Sequence, residues 1–373
     1  MNPIAIYSGS TVLYWSSVII VFGLLASLVL SLSLQRVNGG SRAAMLLFFP
    51  LAIILSVPIC RVIHWYCHFE QYNGIWGALT DYSTGSYCLP GALLGAWLAA
   101  LIVKKLGFER STAHLLDAFA PGAALAVAFI RLSALFNSSC RSKIAVTTPA
   151  LQHLPIASGV TNSTGAVEYR FATFFVEFLL MLIAAAVLLE FFYRCRRRPM
   201  KRGSSDGNTA RYFLLLYSAI ELLLDSTRND SSFMKFNGFV SIVQMICAIC
   251  IGALLIYYSR RSVKANGLGA KHWVIWAVWF IGLAGTGVSE YLVQRHGNWY
   301  LGCYAAMTVC CALMAIAVYR MYLSCCDKTA IGVLNDAAVR AIRDGKSARM
   351  PRYAGAFLYD GAQEMRRPEP SHF

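Results

Sequence analysis

Nine apolar stretches separated by polar connections divide most of the chain: residues 12–34, 43–60, 88–106, 113–136, 172–193, 211–225, 238–258, 273–294 and 300–322. A helix needs about 20 such residues to cross a hydrocarbon layer, so the pattern predicts nine transmembrane helices. The sixth stretch is short and carries Glu221 and Asp225. The first is too deep and too long for a cleaved signal peptide, and is expected to persist as a helix. After the ninth the pattern breaks into a polar, basic tail over 326–373, in which 329–344 has the spacing of one amphipathic helix.

Composition agrees with this picture. Of 373 residues, 57% are hydrophobic and 14% charged, against about 45–50% apolar and about 25% charged in a soluble domain. Net charge is +15, and its placement matters more than its size. Arg36 and Arg42, Lys104 and Lys105, the run Arg194 to Arg202, and Arg260 to Lys271 fall in alternate connections. Basic loops are retained inside, which predicts an outward N-terminus and a cytoplasmic tail. The same distribution argues against a nucleic-acid partner, which would require one concentrated basic patch.

Charge within a span is costly and calls for a partner or a function. Arg61 closes the second span in CRVIHWY, Arg131 sits late in the fourth, and Glu177 lies inside the fifth in FFVEFLL. Glu221, Asp225 and Arg228 follow at spacings of four and three, on one helix face. Such a network can hold an anionic lipid head group, because guanidinium donates two parallel hydrogen bonds to phosphate. The alternative is that the same charges snorkel to the interface. Gly91 and Gly95 in GALLGAW have the small-xxx-small spacing of closely approaching helices, and the Pro-Gly of APGAALAV is read as a break opening the fourth span. Cys60, His64 and His68 share a helix face, but one helix supplies too little convergence for a metal site, and none is expected. Cys60, Cys67, Cys88 and Cys140 flank outward loops, where sequence does not fix a pairing.

The order of these features resembles the bacterial prolipoprotein diacylglyceryl transferase family. CRVIHWY matches its arginine-aromatic end of the second span, and PGALLG (90–95) its HGGLIG-like segment. DAFAPGAALAVAFIRLSALFN (117–137) matches the segment ending GRxGNFxN, FATFFVE (171–177) an HPxQLYE-like segment, and YSAIELLLDSTRND (217–230) the last motif. The resemblance spans about residues 10–258. It implies an all-α polytopic membrane protein with a seven-helix transferase-like body over 1–258, two additional transmembrane helices over 273–325 and the basic tail. It also implies a bacterial plasma-membrane enzyme that moves a diacylglyceryl group from phosphatidylglycerol to the cysteine thiol of a lipobox-containing prolipoprotein, with no cofactor. Arg131, Arg228, Arg61 and Asn137 would then bind lipid phosphate, while Asp225 or Glu177 would orient an arginine or accept a proton. Family residues are replaced at Pro90, Ala134, Phe171, Val176 and Glu221, and no histidine remains at the family positions. A catalytically inactive lipid-binding relative is therefore the alternative reading, favoured if Glu221 cancels the charge of Arg228. A transporter, which would hold its polar site at midplane between broken helices, ranks third.

Overall fold

In the computed structural model the described residues are 4–8, 11–80, 88–136, 142–161, 165–195, 200–201, 204–231, 233, 238–297 and 299–327. Asn137, Cys140 and the whole amphipathic segment 329–344 lie outside them.

A short hairpin of β1 (Ile4–Ser8) and β2 (Thr11–Tyr14) leads into α1 (Trp15–Asn38). There follow α2 (Arg42–Cys67), α3 (Gly74–Thr80), α4 (Leu89–Lys105), α5 (Thr112–Ser133) and α6 (Pro149–Gln152). A second antiparallel hairpin, β3 (Ala157–Thr161) with β4 (Val167–Phe171), precedes α7 (Thr173–Cys195) and α8 (Asn208–Leu224). The chain continues through α9 (Ile242–Asn266), α10 (Ala270–His296) and α11 (Tyr300–Cys325). Among the described residues, seven helices are long and apolar enough to span a membrane: α1, α2, α5, α7, α9, α10 and α11. α4 and α8 have 17 residues each and are the shortest of the nine predicted spans. The protein is thus an all-α polytopic membrane protein.

Local chemistry sets the boundaries. Gly39 takes a left-handed φ of 79° and closes α1 against the carbonyls of Arg36 and Gln35. Ser41 caps α2 by accepting from the N–H of Ala44, and Ser241 with Gln244 forms a reciprocal capping box at α9. Pro121 and Gly122 fall in the interior of α5. They do not open the span as expected, because the helix already starts at Thr112, where Ser111 marks the change from extended backbone. Gly122 instead admits α1: a Cβ there would lie 2.9 Å from the Ser27 carbonyl oxygen.

α1 packs on α5, α2 on α4, α5 on α7 and α8, and α10 on α11. α11 also lies against α8 and α9, so Met307, Met314, Val318 and Met321 share one buried cluster with Val127, Leu188 and Ile251. The long helices run in alternating directions. At one end Asp117, near the start of α5, accepts from the N–H groups of Gly207 (2.5 Å) and Ala210 (2.9 Å) at the start of α8. Lys201 and Arg261 gather at that basic end too, with the Lys201 N–H on the Cys325 carbonyl and Arg261 on that of Ser204. The opposite end collects the C-termini of α2, α5, α8 and α10 and the N-termini of α4, α7, α9 and α11, and there the charged residues singled out by sequence converge.

Candidate functional site

The end of α5 and the beginning of α7 bring Arg131 and Glu177 together, with Arg131 Nε 3.2 Å from Glu177 Oε1. Glu221, in the last turn of α8, closes on the other side of the same guanidinium through Arg131 Nη2. Arg228 arrives from the turn beyond α8, with Nη1 3.7 Å from Glu177 and 3.9 Å from Glu221. Its Nε and Nη2 donate in parallel to the two carboxylate oxygens of Asp230, both at 3.0 Å. Two arginines and three carboxylates therefore interlock across α5, α7, the end of α8 and the turn after it. Glu177 and Glu221 are each no more than 2% exposed. Charges this deep persist only when paired, since the effective cost of burying one alone is several kcal/mol.

The backbone explains how Arg228 is held. α8 ends in a tight 3-10 turn over Asp225–Thr227, after which Arg228 is extended. Thr227 Oγ1 donates back to the Leu224 carbonyl at 2.8 Å and lies 2.7 Å from Thr173 Oγ1 at the start of α7. Ser142 Oγ and the Lys143 N–H both donate to the Thr227 carbonyl, at 2.7 and 3.0 Å. The Ser142 segment thus runs antiparallel to Arg228, and the Val146 N–H carries the connection on to Tyr169 in the second hairpin at 2.8 Å. Asp225, 2% exposed, accepts from Ser241 Oγ, tying the turn to the cap of α9.

The buried Tyr217 hydroxyl has no hydrogen-bond partner among the described residues, and the contacts of Arg131 Nε with Glu177 Oε1 and of Arg228 Nη1 with Glu221 Oε2 are ion pairs without hydrogen-bond geometry. Buried polar groups are nearly always bonded, so capacity concentrated at one point suits a polar ligand or ordered water. Outside the spans, burial tends to raise Asp230, but the hydrogen bonds and charge of Arg228 outweigh it and hold its carboxyl below the ordinary range.

The sequence candidates divide accordingly. Arg131, Glu177 and Arg228 meet in one cluster, and Asp225 adjoins it. Glu221, expected on one helix face with Asp225 and Arg228, has Arg131 as its close partner and reaches Arg228 only at 3.9 Å, because Arg228 lies beyond the end of α8 in extended backbone. Arg61 is 1% exposed on α2, where its Nε donates to the Ala78 carbonyl of α3 at 3.0 Å and its guanidinium lies 6.0 Å from the centroid of the Tyr72 ring. Nearby, His64 and His68 stack at 4.4 Å, with the Tyr72 hydroxyl 3.0 Å from His64 Nδ1, while Cys60 Sγ turns to the Cys88 carbonyl. Asp230 was the residue missed. It is the closing acid of YSAIELLLDSTRND, and only its spacing of two from Arg228 signalled a partner.

A family model described as prolipoprotein diacylglyceryl transferase matches residues 3–259. A phosphatidylglycerol–prolipoprotein diacylglyceryl transferase 1 of Clostridium perfringens is 27% identical over 279 residues, covering 72% of this chain and 99% of the relative. The corresponding transferase of Streptococcus pyogenes is 25% identical over 272 residues, covering 70% of this chain and 95% of the relative.

Proposed function

The chain belongs to the prolipoprotein diacylglyceryl transferase family, and from that premise we propose that it transfers a diacylglyceryl group from phosphatidylglycerol to a lipoprotein-precursor cysteine at the Arg131–Glu177–Arg228 cluster. The observation that carries this reading is the convergence of two arginines on buried, incompletely bonded carboxylates at one end of the bundle. In the step, the thiol sulfur forms a bond to the glyceryl carbon and the bond from that carbon to the phosphate oxygen breaks. Glycerol phosphate leaves with the electron pair. The thiolate is the competent nucleophile, so the thiol proton needs an acceptor, a role that falls to Glu177. Arg131 and Arg228 stabilise the charge growing on the departing phosphate. Asp225, engaged by Ser241, keeps the Arg228 turn in position, and Arg61 supports the α3 segment at the same end of the bundle. Asn137, at the kept asparagine of its motif, is proposed as a further phosphate donor.

The balance of charge makes one demand. Phosphate cannot join Arg131 while Glu221 fully compensates it, so head-group binding displaces the Glu221 carboxylate or brings a proton to it. The Arg131–Glu221 pair also supports the second reading, a lipid-binding relative without catalysis. The two separate on variants. Arg131→Ala and Arg228→Ala are expected to lower both phosphatidylglycerol binding and transfer to a lipobox peptide, the latter by roughly 100-fold or more, as when a charge-stabilising donor is removed. Transfer at the wild-type rate in folded Arg228→Ala protein would remove the cluster from the reaction.

A further inference from the structure

α10 and α11 lie beyond the family-matched residues 3–259, yet they contribute polar groups to the same end of the bundle. Tyr304, one turn into α11, has its hydroxyl 3.3 Å from Ser226 Oγ in the turn that carries Arg228. Glu290, late in α10, is 2% exposed. Its Oε1 accepts from Gln294 Nε2 at 2.9 Å, while its buried Oε2 has no partner among the described residues. Lys143, next to Ser142 in the segment paired with Arg228, donates its N–H to the Thr227 carbonyl at 3.0 Å. Tyr304 therefore borders the Arg228 turn, and the antiparallel register of α10 and α11, set where Gly282 and Gly285 meet Met314 and Cys310, places Glu290 level with Tyr304. The helix pair holding them is close-packed: a Cβ at Gly282 would come within 2.9 Å of the Cys310 carbonyl oxygen. A buried carboxylate oxygen left unbonded is costly in an apolar setting, and a donor from outside the chain relieves it.

We propose that Glu290 and Tyr304 form a head-group subsite, in which they bond the hydroxyl or ammonium donors of the alcohol esterified to a phosphate held by Arg131 and Arg228. This deepens the reading above by assigning head-group selectivity to the two helices outside the family-matched segment. Glycerol and ethanolamine both supply such donors, whereas phosphatidic acid carries the phosphate without any esterified alcohol.

The test uses the full-length protein in lipid nanodiscs and measures binding of phosphatidylglycerol, phosphatidylethanolamine and phosphatidic acid. Glu290→Leu should weaken phosphatidylglycerol or phosphatidylethanolamine roughly tenfold or more, in line with loss of a charged hydrogen bond, and leave phosphatidic acid unchanged. Tyr304→Phe should act in the same direction by a smaller factor. Glu290→Gln distinguishes the sources: an ammonium site loses binding with glutamine as well, whereas a hydroxyl site retains much of it. Unchanged binding of all three lipids in both Glu290→Leu and Tyr304→Phe would overturn the proposal. So would an equal loss that includes phosphatidic acid, which would mark a purely structural role. Because binding is read without turnover, a protein with this selectivity and no transfer would uphold the subsite and refute only the catalytic reading.

Discussion

Arg228 gives both edges of its fork to Asp230 and its remaining nitrogen to the Glu177–Glu221 side, so this one residue joins a solvent-facing acid to a buried pair. The consequence is a defined acid sensitivity. Asp230 is held below its ordinary value, so its contribution to stability is complete above the unfolded-state value of about 3.9 and fades as pH falls through the folded-state value. Wild-type protein should therefore lose melting temperature as pH is lowered below about 4. Asp230→Asn should be less stable at neutral pH and flatter across that acid range. Parallel profiles for the two would mean that the pair contributes nothing. Arg131 and Glu177 were legible in the sequence because a charge inside an apolar run demands a partner. Asp230, Glu290 and Tyr304 were not, because each lies near a span boundary, where a polar or aromatic residue needs no special explanation.

Helix pairing follows from small residues more than from hydrophobicity, since every span is apolar and lipid is no less so. Gly91 and Gly95 let α4 come against α2: a Cβ would stand 2.8 Å from Cys60 Cα at the first position and 2.6 Å from Ser56 Cα at the second. Backbone cannot retreat as a flexible side chain can. Gly95→Val is therefore expected to destabilise by about 1–3 kcal/mol, the usual range for overpacking, read by thermal or denaturant unfolding in detergent. An unaltered transition would show that α2 and α4 separate without cost. GALLGAW announced this contact through its spacing. The Pro-Gly of α5 misled on position, because proline and glycine mark the edges of soluble helices but are tolerated inside membrane helices.

Alternation of basic connections along the chain agrees with the ends of the folded bundle: Arg36, Lys104, Arg194, Arg261 and Lys271 lie at or beside helix termini opposite the ion cluster. We propose that this basic end faces the cytoplasm and the cluster faces outward, where a lipoprotein precursor would arrive. Reporters fused at residue 200 and after residue 327 should then both register as cytoplasmic, and an external signal from either would reverse or break the assignment. The all-α polytopic architecture could be read from hydropathy alone. That one face of α11 packs against α8 and α9 could not, because apolar periodicity does not identify which neighbour a lipid-length helix chooses. The central claim concerns the whole molecule and is tested most directly by one assay: purified protein, labelled phosphatidylglycerol and a lipobox peptide, with a cysteine-to-serine peptide as control. Label on the cysteine peptide alone, together with release of glycerol phosphate, is the predicted result. Specific binding of phosphatidylglycerol with no label on either peptide would contradict it and establish the protein as a lipid-binding member that has lost the reaction.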